Sequence, residues 1–232
     1  MSEPAHPRRR SHDAEGTREA ILNAAEIIFA EHGFDGARVD AIATLAGYNK
    51  SLIFQYFGDK LGLYVEVIRR SDQEMSVILN QLLASLHTDV ATISDPRRFK
   101  DILTLIAGIL FDYLGEHPRL LRMLSWEQAE GWETYKKIFA QFASDESEQF
   151  ATIFRAASEA GLVRSDLSVL FQVTIALQVC QTYLCWQPLY KIVFPQEDFS
   201  SPAARVRLRE YIVNFVVCGI MGNATQDPGS SA

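Results

Sequence analysis

Residues 37–60 read ARVDAIATLAGYNKSLIFQYFGDK, Ala37 to Lys60, two short helical patterns around one glycine. Val39, Ile42, Ala43 and Ala46 recur at three- and four-residue steps, so they share one helix face. Gly47 then supplies the left-handed backbone that ends a helix without a Cβ penalty. Asn49 suits the N-cap of the next helix, because its side-chain oxygen accepts an orphan backbone N–H. Ile53 and Phe57, at i and i+4, are the expected buried pair of that second helix. Gly58 and Asp59 close it and cap a longer helix opening at Lys60.

Two short helices, a tight glycine turn and a small residue at the crossing, Ala43, make a helix-turn-helix. The second helix of such a unit can lie in the DNA major groove with its N-terminal residues at the base edges. The plainer alternative is an ordinary αα-corner, since many helix pairs meet this way. On the DNA-binding reading, Lys50, Ser51, Leu52 and Gln55 face away from Ile53 and Phe57. Lys50 can reach guanine or phosphate, Gln55 can pair with adenine, and Leu52 offers methyls to thymine. Tyr56 and Lys60 suit phosphate better than base.

The run from Ile42 to Leu63, IATLAGYNKSLIFQYFGDKLGL, resembles the DNA-binding signature of the TetR family of bacterial transcriptional regulators. The resemblance begins at Thr17-Arg18-Glu19-Ala20-Ile21-Leu22 and includes Phe29-Ala30-Glu31-His32-Gly33-Phe34. It covers roughly the first quarter of the chain, and beyond about residue 70 only length and helical character agree. Where the family often has Ser or Thr, this chain has Ala37 and Arg38. Where it often has a small residue and then Tyr, this chain has Leu52 and Phe54. The family's Tyr places its hydroxyl on a DNA phosphate, which Phe54 cannot do. Tyr56 keeps a hydroxyl for that work, and Arg38 can replace a capping hydroxyl with a charged phosphate contact. With Asn49, the expected DNA-contacting set is Arg38, Asn49, Lys50, Ser51, Leu52, Gln55, Tyr56 and Lys60.

The 232 residues are 48% hydrophobic and 22% charged, a globular composition long enough for one or two cores. No apolar run reaches the roughly 18 residues of a membrane span. Arg8-Arg9-Arg10 has no apolar segment behind it, so a secretory signal is not expected. Cys180, Cys185 and Cys218 are an odd set without metal-type spacing, which suggests free thiols in a reducing cytoplasm. The formal net charge is −7, and even the first 62 residues hold more acidic than basic side chains. Overall charge therefore votes against nucleic acid. Local placement outweighs it, because screening confines charges to about 8 Å at physiological salt.

Met1 to about Asp13 carries prolines and the three arginines without apolar periodicity, and is expected to be a disordered arm (1–13). Residues 14–60 form the expected DNA-binding domain of three helices, the first from about Thr17 to His32. Residues 61–223 form the expected effector-binding and dimerisation domain, and 224–232 a frayed tail. One long helix runs from Lys60 to about Leu86. Others are expected at about 96–115, 119–130, 132–160, 166–186 and 202–222. The whole is all-α with about nine helices. In the helix from Asp166, Leu170, Val173, Leu177 and Leu184 form one apolar stripe, and Phe171, Ile175, Thr182 and Trp186 another. A helix apolar on two faces needs two partners. It is therefore expected to pair with the last helix and their symmetry mates in a homodimer, with Leu170, Val173, Leu177, Leu184, Tyr211 and Phe215 at the contact. The resemblance implies the same arrangement.

The resemblance also implies a small apolar or aromatic effector in the larger domain. Phe111, Met123, Trp126, Phe154, Gln178, Thr182 and Trp186 are the candidate pocket residues. Catalysis is not expected. The five histidines are scattered, and no phosphate-cradling glycine loop or nucleophile elbow appears, so neither metal nor cofactor is anticipated. The expected function is sequence-specific binding of double-stranded operator DNA by a regulator, a repressor, under effector control. The alternative is a ligand-binding or scaffold protein that keeps the fold without reading DNA.

Overall fold

A computed structural model describes residues 8–85, 93–138, 146–199 and 201–221, and among them there are ten helices and no strand. They are α1 (Arg8–Gly36), α2 (Val39–Ala46), α3 (Lys50–Phe57), α4 (Lys60–Ser85), α5 (Pro96–Glu116), α6 (Pro118–Ala129), α7 (Glu133–Ile138), α8 (Glu146–Glu159), α9 (Val169–Val193) and α10 (Pro202–Met221). The chain divides into two compact units. The first takes in residues up to Glu74 and Arg119–Phe142, the second Met75–Pro118 and Ala143 onward.

In the first unit Ile21, Phe29, Ile42, Ile53 and Leu63 are fully buried, and Phe57 nearly so, in one core shared by α1 to α4. Asn49 caps α3 by accepting from Leu52 N–H at 2.8 Å, and Asp59 caps α4 through Gly62 N–H at 2.7 Å. Gly47 adopts φ 75° and ψ 23°, the left-handed end of α2. The helical run of α1 breaks at Gly33, where φ is 68° and ψ 179°, a region open essentially to glycine alone. Charged side chains brace α4 along α1. Glu66 accepts from Arg18 and Arg69, while Arg70 donates to Asn23 at 2.7 Å and Glu26 at 2.5 Å.

The boundary expected at residue 60 is not where contacts divide. α6 and α7 complete the first unit, because Met123 and Ile138 are buried in its core. Glu127, 2% exposed, accepts from the Tyr64 hydroxyl at 2.7 Å and from Tyr135 N–H at 3.0 Å, so its carboxylate is satisfied without water. Burial first, then the bond to Glu127, holds the Tyr64 hydroxyl in its neutral form far above the usual tyrosine range. Trp126 Nε1 donates to Ala30 O at 3.3 Å.

In the second unit α5 packs against α9 and α10. Asp95 caps α5 through Arg97 N–H and Arg98 N–H at 3.0 and 2.9 Å, with Pro96 in the first turn. Arg209 forks onto Asp112 at 2.7 and 2.6 Å and ties α10 to α5. A Cβ at Gly108 would lie 2.5 Å from an Arg209 guanidinium nitrogen, so an alanine there would make the end of that side chain shift.

Three expectations of element placement change. α1 starts at Arg8 rather than near Thr17, since nothing after Pro7 interrupts the helical backbone. Of the helix expected over 132–160 the described residues hold two helices, α7 and α8, which makes ten helices among the described residues against the nine expected. Residues 139–145 between them lie outside the described residues, as do Met1–Pro7 of the expected arm and the expected tail. α9 begins later and ends later than expected, capped by Ser168 and passing through Pro188.

Candidate nucleic-acid interface

α3 is short, and its two buried side chains decide what the rest can do. Ile53 and Phe57 anchor it, leaving Lys50, Ser51, Phe54 and Gln55 exposed. Helix geometry places Lys50 with Phe54 and Ser51 with Gln55 on one solvent arc, each pair one turn apart. Lys50 Nζ lies 3.0 Å from Asp40 Oδ2 and 5.8 Å from the centre of the Phe54 ring. An exposed ion pair of this kind is worth about 0–1 kcal/mol, so the lysine is held loosely and can exchange the carboxylate for a phosphate.

The other expected contacts are placed less uniformly. Arg38 is exposed at the N-cap position of α2, and its side chain makes no capping hydrogen bond. Asn49 is exposed but its side-chain oxygen is engaged by Leu52 N–H. Leu52 and Tyr56 are half-buried, Tyr56 against the core of the unit. Lys60 turns back to its own unit, with Nζ 3.2 Å from Asp35 O and 4.7 Å from the centre of the Phe34 ring. Partial burial lowers its pKa, against the opposing pull of Asp35 and Glu130. Phe54, 39% exposed, is the side chain that sequence reasoning set aside. Its i+4 spacing from Lys50 is the signal that places it on the same arc.

The second unit holds an apolar cavity of about 120 Å³. Met75 and Leu79 of α4, Leu103 and Ala107 of α5, Phe154 of α8, Val173 and Ala176 of α9, and Val216 and Ile220 of α10 line it. Of the seven candidate pocket residues, Phe154 lines this cavity. Phe111 instead borders a wider groove of about 350 Å³ with Tyr183, Gln187, Arg205 and the Arg209–Asp112 pair. Met123 and Trp126 belong to the first unit, Met123 as core. Gln178, Thr182 and Trp186 are exposed on α9. The seven are thus divided between the two units, and within the second Phe154 and Phe111 line different hollows, because aromatic content says nothing about which way a helix is turned.

The rotation of α9 also divides the residues of the expected dimer stripe. Val173, Leu177 and Leu184 are half-buried within the second unit, with Val173 at the cavity and Leu184 at the groove. The side chain of Leu170 lies outside the described ones. The face left open carries Phe171, Ile175, Trp186 and Leu189, 41–52% exposed, and α10 leaves Tyr211 and Phe215 at 66% and 58%. Among the described residues no helix is long and apolar enough to cross a membrane, and no His, Cys, Asp and Glu cluster is placed to hold a metal. Cys180 is buried, which raises its thiol pKa to about 11, so it is a poor nucleophile.

Residues 21–67 match the family model described as bacterial regulatory proteins, tetR family, and residues 100–216 match the tetracyclin repressor-like C-terminal domain. Over 176 residues the chain is 30% identical to the HTH-type transcriptional repressor NicS of Pseudomonas putida, covering 75% of this chain and 78% of that protein. The crystal structure of SCO4942 from Streptomyces coelicolor is similar at 26% identity and a TM-score of 0.56, over 86% of this chain and 96% of that one. A TetR family transcription regulator from Marinobacter aquaeolei VT8 shares the fold at a TM-score of 0.65 and 17% identity, over 91% and 98% of the two chains.

Proposed function

This chain belongs to the TetR family of bacterial regulatory proteins, a family of DNA-binding transcriptional regulators rather than enzymes, and on that premise we propose that it represses genes from a specific operator until a small effector binds. The observation that carries the reading is the solvent arc of Lys50, Ser51, Phe54 and Gln55 on a short helix anchored by Ile53 and Phe57. That arc offers a cation, hydroxyl, amide and aromatic ring on a helix thin enough for the major groove. The partner is double-stranded DNA, and the place of work is the cytoplasm.

Two copies pair through the open faces of α9 and α10, and successive major grooves require their two α3 helices about 34 Å apart. The effector is a small uncharged apolar molecule. The cavity of about 120 Å³ has an almost wholly apolar lining, of the order that takes a single aromatic ring. It releases DNA only to the extent that it binds better to the state with the wrong helix spacing. α4 contributes Met75 and Leu79 to the cavity and begins directly after α3, so it is the covalent route for that coupling.

Fluorescence anisotropy on labelled DNA from the gene's upstream region tests this, with scrambled DNA as control, over a salt series. Tight binding to the native fragment alone, saturating at a pair of chains per duplex, is the expected result. Equal weak binding to native and scrambled DNA at every promoter tried, vanishing with modest salt, would be the phosphate contribution alone and would overturn the regulator reading.

A further inference from the structure

We propose that the groove between α5, α9 and α10 is a second small-molecule site, built for a zwitterion with an aromatic side chain, an aromatic α-amino acid. The groove encloses about 350 Å³, within the range of small-ligand sites, and shares no lining residue with the apolar cavity. Its ligand is therefore a different molecule from the uncharged effector. Its binding does not depend on whether the chain reads DNA.

The charges of the ligand follow from how two helices run. α5 and α10 are antiparallel, since Leu103 lines the cavity with Val216 and Ile220 while Asp112 bonds Arg209. One turn beyond that ion pair, helix period sets Glu116 opposite Arg205. Both are exposed and line the groove, and among the described residues neither makes an ion pair. A carboxylate on one wall and a guanidinium on the other thus stand apart with the opening between them. Pairing them directly contributes little at an exposed position. A ligand ammonium on Glu116 and a ligand carboxylate on the Arg205 fork give each a charge-assisted hydrogen bond. An anion alone is repelled by Glu116, and a cation alone meets Arg205. The floor is apolar, because Phe111 and Tyr183 are buried and stack with ring centroids 5.8 Å apart. A third ring laid on that floor gains aromatic contact. Tyr183, Leu184 and Gln187 lie on the side of α9 away from Ile175, Trp186 and Leu189, so a contact through the open face of α9 does not use the groove.

Isothermal titration calorimetry of the full chain with L-phenylalanine, L-tyrosine and L-tryptophan tests this. The deaminated acid and the decarboxylated amine of each serve as single-charge controls. At least one amino acid should bind with Kd below about 1 mM, and about tenfold more tightly than either of its controls. Arg205→Gln should weaken the amino acid about tenfold without weakening the amine, and Glu116→Gln should weaken it about tenfold without weakening the acid. Both positions are exposed, so an unchanged urea midpoint in each variant separates lost binding from lost folding. Three results overturn the proposal. No binding of any of the three below about 10 mM leaves the groove without this ligand. A control that binds as tightly as its amino acid reduces the site to one charge. Affinity that survives both substitutions moves the amino acid elsewhere in the molecule. No DNA enters the measurement, so each of these results leaves the regulator reading as it stands.

Discussion

Asp40 places a negative charge beside the cation expected to meet DNA, 3.0 Å from Lys50. Asp40→Asn should therefore tighten binding to operator and scrambled DNA alike, by about three- to tenfold at low salt, since the pair costs little to break and the carboxylate repels phosphate. Anisotropy titrations read this directly, and weaker binding would mean that Asp40 orients Lys50 instead of competing for it. Lys50→Ala should lower affinity and reduce the salt slope by about 0.9 if the ammonium meets one phosphate. Glu127 and Tyr64 are a different kind of pair, buried and far from this arc in sequence. Glu127→Ala removes the acceptor of the Tyr64 hydroxyl and of Tyr135 N–H and should cost about 1–3 kcal/mol of stability in urea unfolding. Tyr64 has its folded pKa raised above the unfolded value of about 10. Its contribution is thus complete below that pH and shrinks as pH climbs through it, where only the unfolded chain ionises. Tyr64→Phe should lose less stability between pH 8 and 10.5 than wild type does. An identical loss in both proteins would show that the buried hydroxyl does not drive it.

Gly33 and Gly47, both at positive φ in the first unit, should respond differently to alanine. At Gly47, with φ 75°, a Cβ meets nothing within 4 Å, so Gly47→Ala carries only the left-handed backbone cost of about 1–2 kcal/mol. At Gly33 the backbone is in the glycine-only region, and a Cβ would lie 3.1 Å from both Trp126 and Glu130. Gly33→Ala should cost about 3 kcal/mol or more and disturb the seat of α6 on α1. Denaturant midpoints of the two variants decide it, and equal losses would mean that α6 yields freely. The caps of α3 and α4 were legible because Asn49 and Asp59 each act on an amide three residues away. The facing of α9 was not legible. It carries apolar residues on two sides, and only packing against α5 and α10 turns Val173 inward and Phe171 outward.

At the scale of the whole molecule, the open faces of α9 and α10 are an apolar liability, with Trp186 at 52% and Phe215 at 58% exposure. A charge in the centre of a two-fold contact meets its own copy, so Trp186→Asp or Phe215→Asp should give monomers by sedimentation. Operator affinity should then fall by more than about tenfold, because each half-site must be bound without the other. Persistent dimers in both variants would move the contact elsewhere. Either variant should keep the cooperative unfolding of the first unit, whose core these residues do not enter.

What sequence alone decided is what a few neighbouring residues can decide. The glycine turn at Gly47, the Asn49 cap, the Ile53–Phe57 anchor and the exposed stations of Lys50, Ser51 and Gln55 all follow from helix period and local hydrogen bonding. Tertiary structure decided the questions that depend on a partner distant in the chain. It sent Met123 and Glu127 to the first unit, because a buried hydroxyl on α4 and a core near Leu63 were there to receive them. It put Phe154 at a cavity and Trp186 in solvent, although both are large apolar residues on helices of the same unit. It also left Phe54 exposed on α3, one turn from Lys50. Hydrophobic burial has no direction along the chain, so a sequence rich in apolar residues states how much surface must be covered and leaves to packing which side chains are left uncovered.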